Sequence, residues 1–167
     1  KLAELLDPPA VVAITPAPPR GTIALRGIGL GLAALRHSAA IVLGKAMTPN
    51  RSEATRFALN RLPPDEQDRV VRNLVPESGR LALEIAVTGL PVDASRVECP
   101  MLFVSATDDR NTSAGMVRRV ASKYRADLRE YAGHAHMIIL EPGWERVAGD
   151  IAQWLEGLPE EAGESGQ

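Results

Sequence analysis

Hydrophobic positions along the chain follow two kinds of spacing. Ala10-Val11-Val12-Ala13-Ile14 and Met101-Leu102-Phe103-Val104-Ser105-Ala106 are almost continuously apolar, which predicts strands buried on both faces of a parallel sheet. A third, shorter strand is expected over Asp127 to Tyr131. Elsewhere the apolar residues recur at steps of three and four: Met116, Val117, Val120, Ala121 and Tyr124 form one stripe, and Trp144, Val147, Ile151, Trp154 and Leu155 another, beginning near Gly143. Both are the signature of amphipathic helices. Residues 1 to 6, KLAELL, are strong helix formers that stop at Asp7-Pro8-Pro9, where proline forbids continuation.

Between residues 22 and 95 the pattern changes. Ala, Leu and Arg dominate, and prolines punctuate at Pro49, Pro63-Pro64, Pro76 and Pro91, which predicts four or five short helices. The clearest starts at Pro64, a favoured first helical position, and runs through Asp65-Glu66 to Val70, Val71 and Leu74, with its acids at the positive end of the helix dipole. Gly27, Gly29 and Gly31 give a G-x-G-x-G spacing, but no strand feeds it and no lysine follows, so close helix packing is the expected role rather than phosphate binding.

The predicted order is helix, strand, helical block, strand, helix, strand, helix. Strands alternating with helices imply an α/β fold with a parallel sheet and ligands at the strands' carboxyl ends. The expected divisions are a core helix and strand over 1–21, a helical cap over 22–95, a second α/β core portion over 96–157 and a disordered acidic tail over 158–167.

Composition narrows the function classes. The 167 residues are 45% hydrophobic and 24% charged, ordinary for a globular domain, and carry a net charge of -2 with acids and bases interspersed. Such a surface offers no basic stripe, so nucleic acid is not an expected partner. Cys99 is alone, which excludes an intramolecular disulfide, and its flank V-E-C-P-M-L-F-V suggests a small apolar residue entering a strand. No apolar run reaches the ~18 residues that a membrane-spanning helix requires, no signal peptide is recognisable and there are no internal repeats.

Two segments just after predicted strands carry candidate chemistry: Thr107 to Asn111 and Gly133 to His136. A carboxylate after one parallel strand and an imidazole after the next can meet at the sheet's top edge, where Asp accepts a hydrogen bond from the Nδ1–H, fixes the tautomer and stabilises the imidazolium formed when the ring takes a proton. That pair is two-thirds of a nucleophilic triad. The competing reading for Asp108 and Asp109 is turn or helix capping, which is the expected role of Asp108. His37, within LRHSAAIV, is expected to be a packed or surface residue. His134-x-His136 lacks a convincing third ligand for a metal.

The segments VECPMLFVSATDDRNTS and GHAHMIILEPGWERVAGDIAQWL together resemble the C-terminal part of the α/β-hydrolase fold superfamily. The resemblance implies that Asp109, immediately before Arg110, is the triad acid, although Ser105 or Ala106 stands where a glycine is common. It also implies that His136 is the general base, because Glu141 follows it by five residues, the usual separation in the family, whereas His134 would need seven. Glu141 is then expected to be a scaffold residue beside the last helix.

The family's nucleophile elbow, G-x-S-x-G, is matched by no serine in the chain. The opening KLAELLDPPAVVAITPAPPRG resembles the end of the elbow helix, the next core strand and the entry to a cap. The resemblance therefore implies a C-terminal portion whose nucleophile lies ~10 residues before Lys1, with Val11 to Ile14 as an exposed sheet edge prone to aggregation. The activity implied is cofactor-independent cleavage of an ester or similar acyl bond in a small-molecule substrate, absent from the fragment alone. Leu32, Leu35, Ile41, Phe57 and Leu59 are candidates for an apolar acyl pocket, ordinary helix packing being the competing reading. Two alternatives are an aspartate-nucleophile enzyme of the dehalogenase or epoxide-hydrolase type, and a non-catalytic binding module.

Overall fold

The structure, a computed structural model, describes residues 1–22, 35–84 and 89–159. Three strands, β1 (Val11–Ile14), β4 (Met101–Ala106) and β5 (Asp127–Tyr131), form a parallel sheet in the order β1-β4-β5. The central strand β4 aligns Val11 with Met101 on one side and Leu102 with Asp127 on the other. Its two faces feed two separate cores because side chains alternate along a strand. Leu102, Val104 and Ala106 pack with Tyr131, Ile138 and Val147, joined by Ile151 and Trp154 of the last helix, α7 (Trp144–Glu156). Phe103 packs on the opposite face with Met116, Val117, Val120 and Ala121 of α6 (Ala114–Tyr124). Each stripe predicted from the sequence thus packs on one face of the sheet, except that Trp144 and Leu155 of the second remain exposed; each large side chain fully buried contributes about 1.5–3 kcal/mol.

Helix α1 (Leu2–Leu6) precedes β1, and its side chains are arranged unusually. Its buried residue is Glu4, held by Lys1 Nζ at 2.7 Å and by the Asp93 backbone N–H at 3.0 Å. The hydrogen bond from Lys1, then that from Asp93, keeps the Glu4 carboxyl below its ordinary range. Leu2, Leu5 and Leu6 are 71%, 60% and 69% exposed.

The intervening region contains α2 (Ser38–Val42), α3 (Arg51–Phe57), α4 (Pro64–Arg72) and α5 (Gly79–Leu83). Asn50 and Glu53 close a reciprocal capping box on α3, and Pro64 stands at the first turn of α4. The α4 helix ends before Leu74, with Asn73 as its C-cap. The region is not wholly helical: β2 (Ala46–Met47) and β3 (Glu77–Ser78) form an antiparallel pair. Leu59 and Leu62 are buried with Ala54 in a small core of their own, so Leu59 packs rather than lines a cavity; Leu35 is exposed. Leu32 and the G-x-G-x-G glycines lie outside the described residues, as does most of the acidic tail.

Candidate active site

The loops after β4 and β5 are tied to each other before they reach any chemistry. The Thr107 N–H donates to the Tyr131 carbonyl at 3.1 Å and the Asp108 N–H to the His134 carbonyl at 2.9 Å, continuing the ladder of the two strands past their ends. The Gly133 N–H adds a bond to Thr107 Oγ1 at 3.1 Å. Gly133, at φ 79°, makes the turn that allows this, in the left-handed region that glycine occupies without a Cβ penalty.

Within this frame Asp109 and His136 meet. His136 Nδ1 lies 2.9 Å from Asp109 Oδ2. The other carboxylate oxygen, Oδ1, accepts the backbone N–H groups of Asn111 and Thr112, both at 2.7 Å. One aspartate therefore does both jobs weighed in the sequence: it closes its own turn and holds the imidazole. Its side chain is 0% exposed, and that of His136 is 22% exposed, so the carboxylate is shielded while the ring keeps an open edge. Three donors around a buried carboxylate suit its ionised form, which accepts only.

Two partners of His136 carry no sequence signal that marked them in advance. Thr15, just past β1, donates its hydroxyl to the His136 carbonyl at 3.1 Å from a left-handed backbone of φ 42°. Asn111 Nδ2 lies 3.1 Å from His136 Nε2. Residues after all three strands thus meet at His136, Asp109 and Asn111 on its ring and Thr15 on its backbone carbonyl. With the Asp109 carboxylate accepting a hydrogen bond from Nδ1–H, Nε2 is the acceptor toward the Asn111 NH2 group.

His134 is placed elsewhere. Its Nδ1 faces Glu141 Oε2 at 3.2 Å, and the same oxygen accepts the Ala135 N–H at 2.7 Å. Glu141 is almost wholly buried, so it fastens the peptide between the two histidines. His37 is also committed, its Nε2 lying 3.0 Å from Glu53 Oε2.

The other aspartate of the loop, Asp108, does not cap a helix. It binds the Arg61 guanidinium, with Nε at 2.7 Å from Oδ2, and accepts the Thr107 hydroxyl at 3.0 Å. These bonds, Arg61's first, hold its carboxyl below the ordinary aspartate range. Asn60 Nδ2 donates to the Asp108 carbonyl at 3.1 Å, and Met137 packs against the Leu59 and Leu62 core. One short turn, residues 59–62, therefore rests on both loops. An open cleft of about 620 Å³ lies between this turn and the loop after β4, lined by Asn60, Arg61, Thr107, Asp108, Asp109 and Arg110.

No protein-family model and no curated protein sequence matches the chain. Solved structures do. A monoacylglycerol lipase of Paleococcus ferrophilus is 22% identical, with 92% of this chain matching 61% of that one at a TM-score of 0.57. A methylesterase from Arabidopsis matches over 90% of this chain and 60% of its own, with 9% identity and a TM-score of 0.63. An esterase from a Rhodococcus species gives 13% identity, 90% and 57% coverage, and a TM-score of 0.60. The chain thus has part of the α/β-hydrolase fold and spans about three-fifths of the length of these structures.

Proposed function

We propose that the chain carries the acid and the base of a serine-type ester hydrolase, and that the nucleophile comes from a segment packed along the free edge of β1. The observation that carries this reading is the 2.9 Å contact between His136 Nδ1 and Asp109 Oδ2 at the carboxyl ends of parallel strands. Its supports are the similarity to esterases and a lipase, the outer edge of β1, which has no partner strand among the described residues, and the exposed leucines of α1. An unpaired strand edge and an uncovered apolar helix face are each surfaces that a further segment can cover.

In this reading the nucleophile's hydroxyl donates to His136 Nε2. As oxygen attacks the ester carbonyl, its proton moves to Nε2, and the imidazolium is stabilised by Asp109 across Nδ1. The tetrahedral intermediate collapses, the proton passes from Nε2 to the departing alkoxide, and an acyl-enzyme remains. Water then repeats the sequence, with Nε2 again taking and returning a proton. No step calls for a cofactor. Residues 22–95 act as a cap, its 59–62 turn setting the position of both loops, and a small ester with an apolar acyl group is the substrate class.

Ester hydrolysis by the whole gene product, measured with D109N and H136A beside the wild type, tests the reading. D109N is expected to lower kcat by about 10⁴, the loss seen when a triad acid can no longer hold the correct tautomer. A fluorophosphonate probe is expected to label a serine outside these 167 residues, and wild-type protein that neither hydrolyses esters nor takes up the probe would refute the proposal. An aspartate nucleophile would show instead as a covalent ester intermediate trapped in H136A, with no probe uptake.

A further inference from the structure

The contact between Asn111 Nδ2 and His136 Nε2 engages the one ring nitrogen that the proposed reaction uses. With the ring proton on Nδ1 facing Asp109, the lone pair of Nε2 is the ring's only basic site. An amide hydrogen pointed at that lone pair occupies it, and an amide cannot take a proton in exchange. We infer that Asn111 is a latch on the base: it masks Nε2 at rest and gives way when a hydroxyl donor takes its place. This rests on the hydrolase reading for its purpose but not for its geometry.

The exchange is physically easy in one direction only. The Asn111 side chain lies on the surface, so it can rotate away without opening the core. Its backbone N–H stays on Asp109 Oδ1 at 2.7 Å, and that bond does not depend on the side chain. Replacing an amide donor by a hydroxyl donor on the same lone pair conserves the number of hydrogen bonds, whereas rotating away without a replacement loses one. The base is thereby shielded from adventitious electrophiles until its proper partner arrives.

Diethyl pyrocarbonate, which acylates the free lone pair of a neutral imidazole, tests this on the whole gene product, with the modified histidines identified by peptide mass spectrometry. N111A is expected to raise the rate at His136 by about 2- to 10-fold, the masking that one ordinary hydrogen bond provides, and to leave His134 unchanged. N111D supplies an acceptor where the amide supplied a donor, favours a proton on Nε2 and is expected to lower the rate at His136 below wild type. In ¹⁵N spectra of the ring, N111A is expected to move the Nε2 resonance and leave Nδ1 in place, a pattern that a merely structural residue would not give. Equal His136 rates in wild type and folded N111A, or increases at both histidines in both variants, would overturn the latch. Neither result depends on whether the whole protein hydrolyses esters, so failure of the hydrolase reading shows separately, in the fluorophosphonate experiment.

Discussion

Asp109 divides its carboxylate between two tasks, one oxygen for the turn that carries it and one for the imidazole. A substitution to asparagine keeps an oxygen for the turn and puts an NH2 group against Nδ1, so D109N is expected to fold while favouring the wrong tautomer. Circular dichroism matching wild type, beside the activity loss above, checks this. Glu141 has a different burden. Truncation to alanine leaves the Ala135 N–H and His134 Nδ1 without their partner, and a buried unpaired donor costs about 1–3 kcal/mol. Urea unfolding of E141A is expected to show a loss of that order. At this scale the sequence pointed to Asp109, His136 and Glu141 because each stands where the family resemblance implies, relative to a strand end or another motif residue. Thr15 and Asn111 stayed hidden because their roles depend on a backbone turn and a side-chain direction, neither of which a hydrophobic pattern records.

Among the elements, the pairing of β5 with α7 is fixed by polar bonds as well as by the core. The Tyr131 hydroxyl donates to Asp150 Oδ2 at 2.8 Å, and Trp154 Nε1 donates to Asp127 Oδ2 at 2.7 Å. Burial first, then the Asp150 carboxylate, pushes the Tyr131 phenol up to about 12 from 10.0. A phenol whose folded value is raised stabilises the protein fully below its unfolded value and loses that contribution as pH climbs from 10.0 to about 12. Stability is therefore expected to fall across that window, and to fall less in Y131F, by urea unfolding at stepped pH. Replacing Ile138, which is fully buried against β4, with alanine is expected to cost about 2–5 kcal/mol. β1 and β4 were legible as continuous apolar runs, and α6 and α7 as stripes at steps of three and four. The β2 and β3 pair was not: two residues per strand, Ala46-Met47 and Glu77-Ser78, are too few to alternate.

For the molecule as a whole, the exposed leucines of α1 and the outer edge of β1, which has no partner strand among the described residues, are two uncovered surfaces. The 167-residue chain is expected to self-associate with rising concentration in sedimentation velocity, and replacing Leu2, Leu5 and Leu6 with glutamine to reduce this. The exposed edge was expected from the family resemblance rather than from the hydrophobic pattern, and neither gave any sign that Glu4 would be buried and those leucines left outside. The central claim is that three strand ends converge to hold Asp109 against His136 Nδ1. Proton NMR of the ring N–H groups tests it most directly. A strongly deshielded Nδ1 proton is expected in the wild type and in E141Q, and its absence is expected in D109A; a wild-type ring without that proton, or the same signal surviving in D109A, would contradict the account.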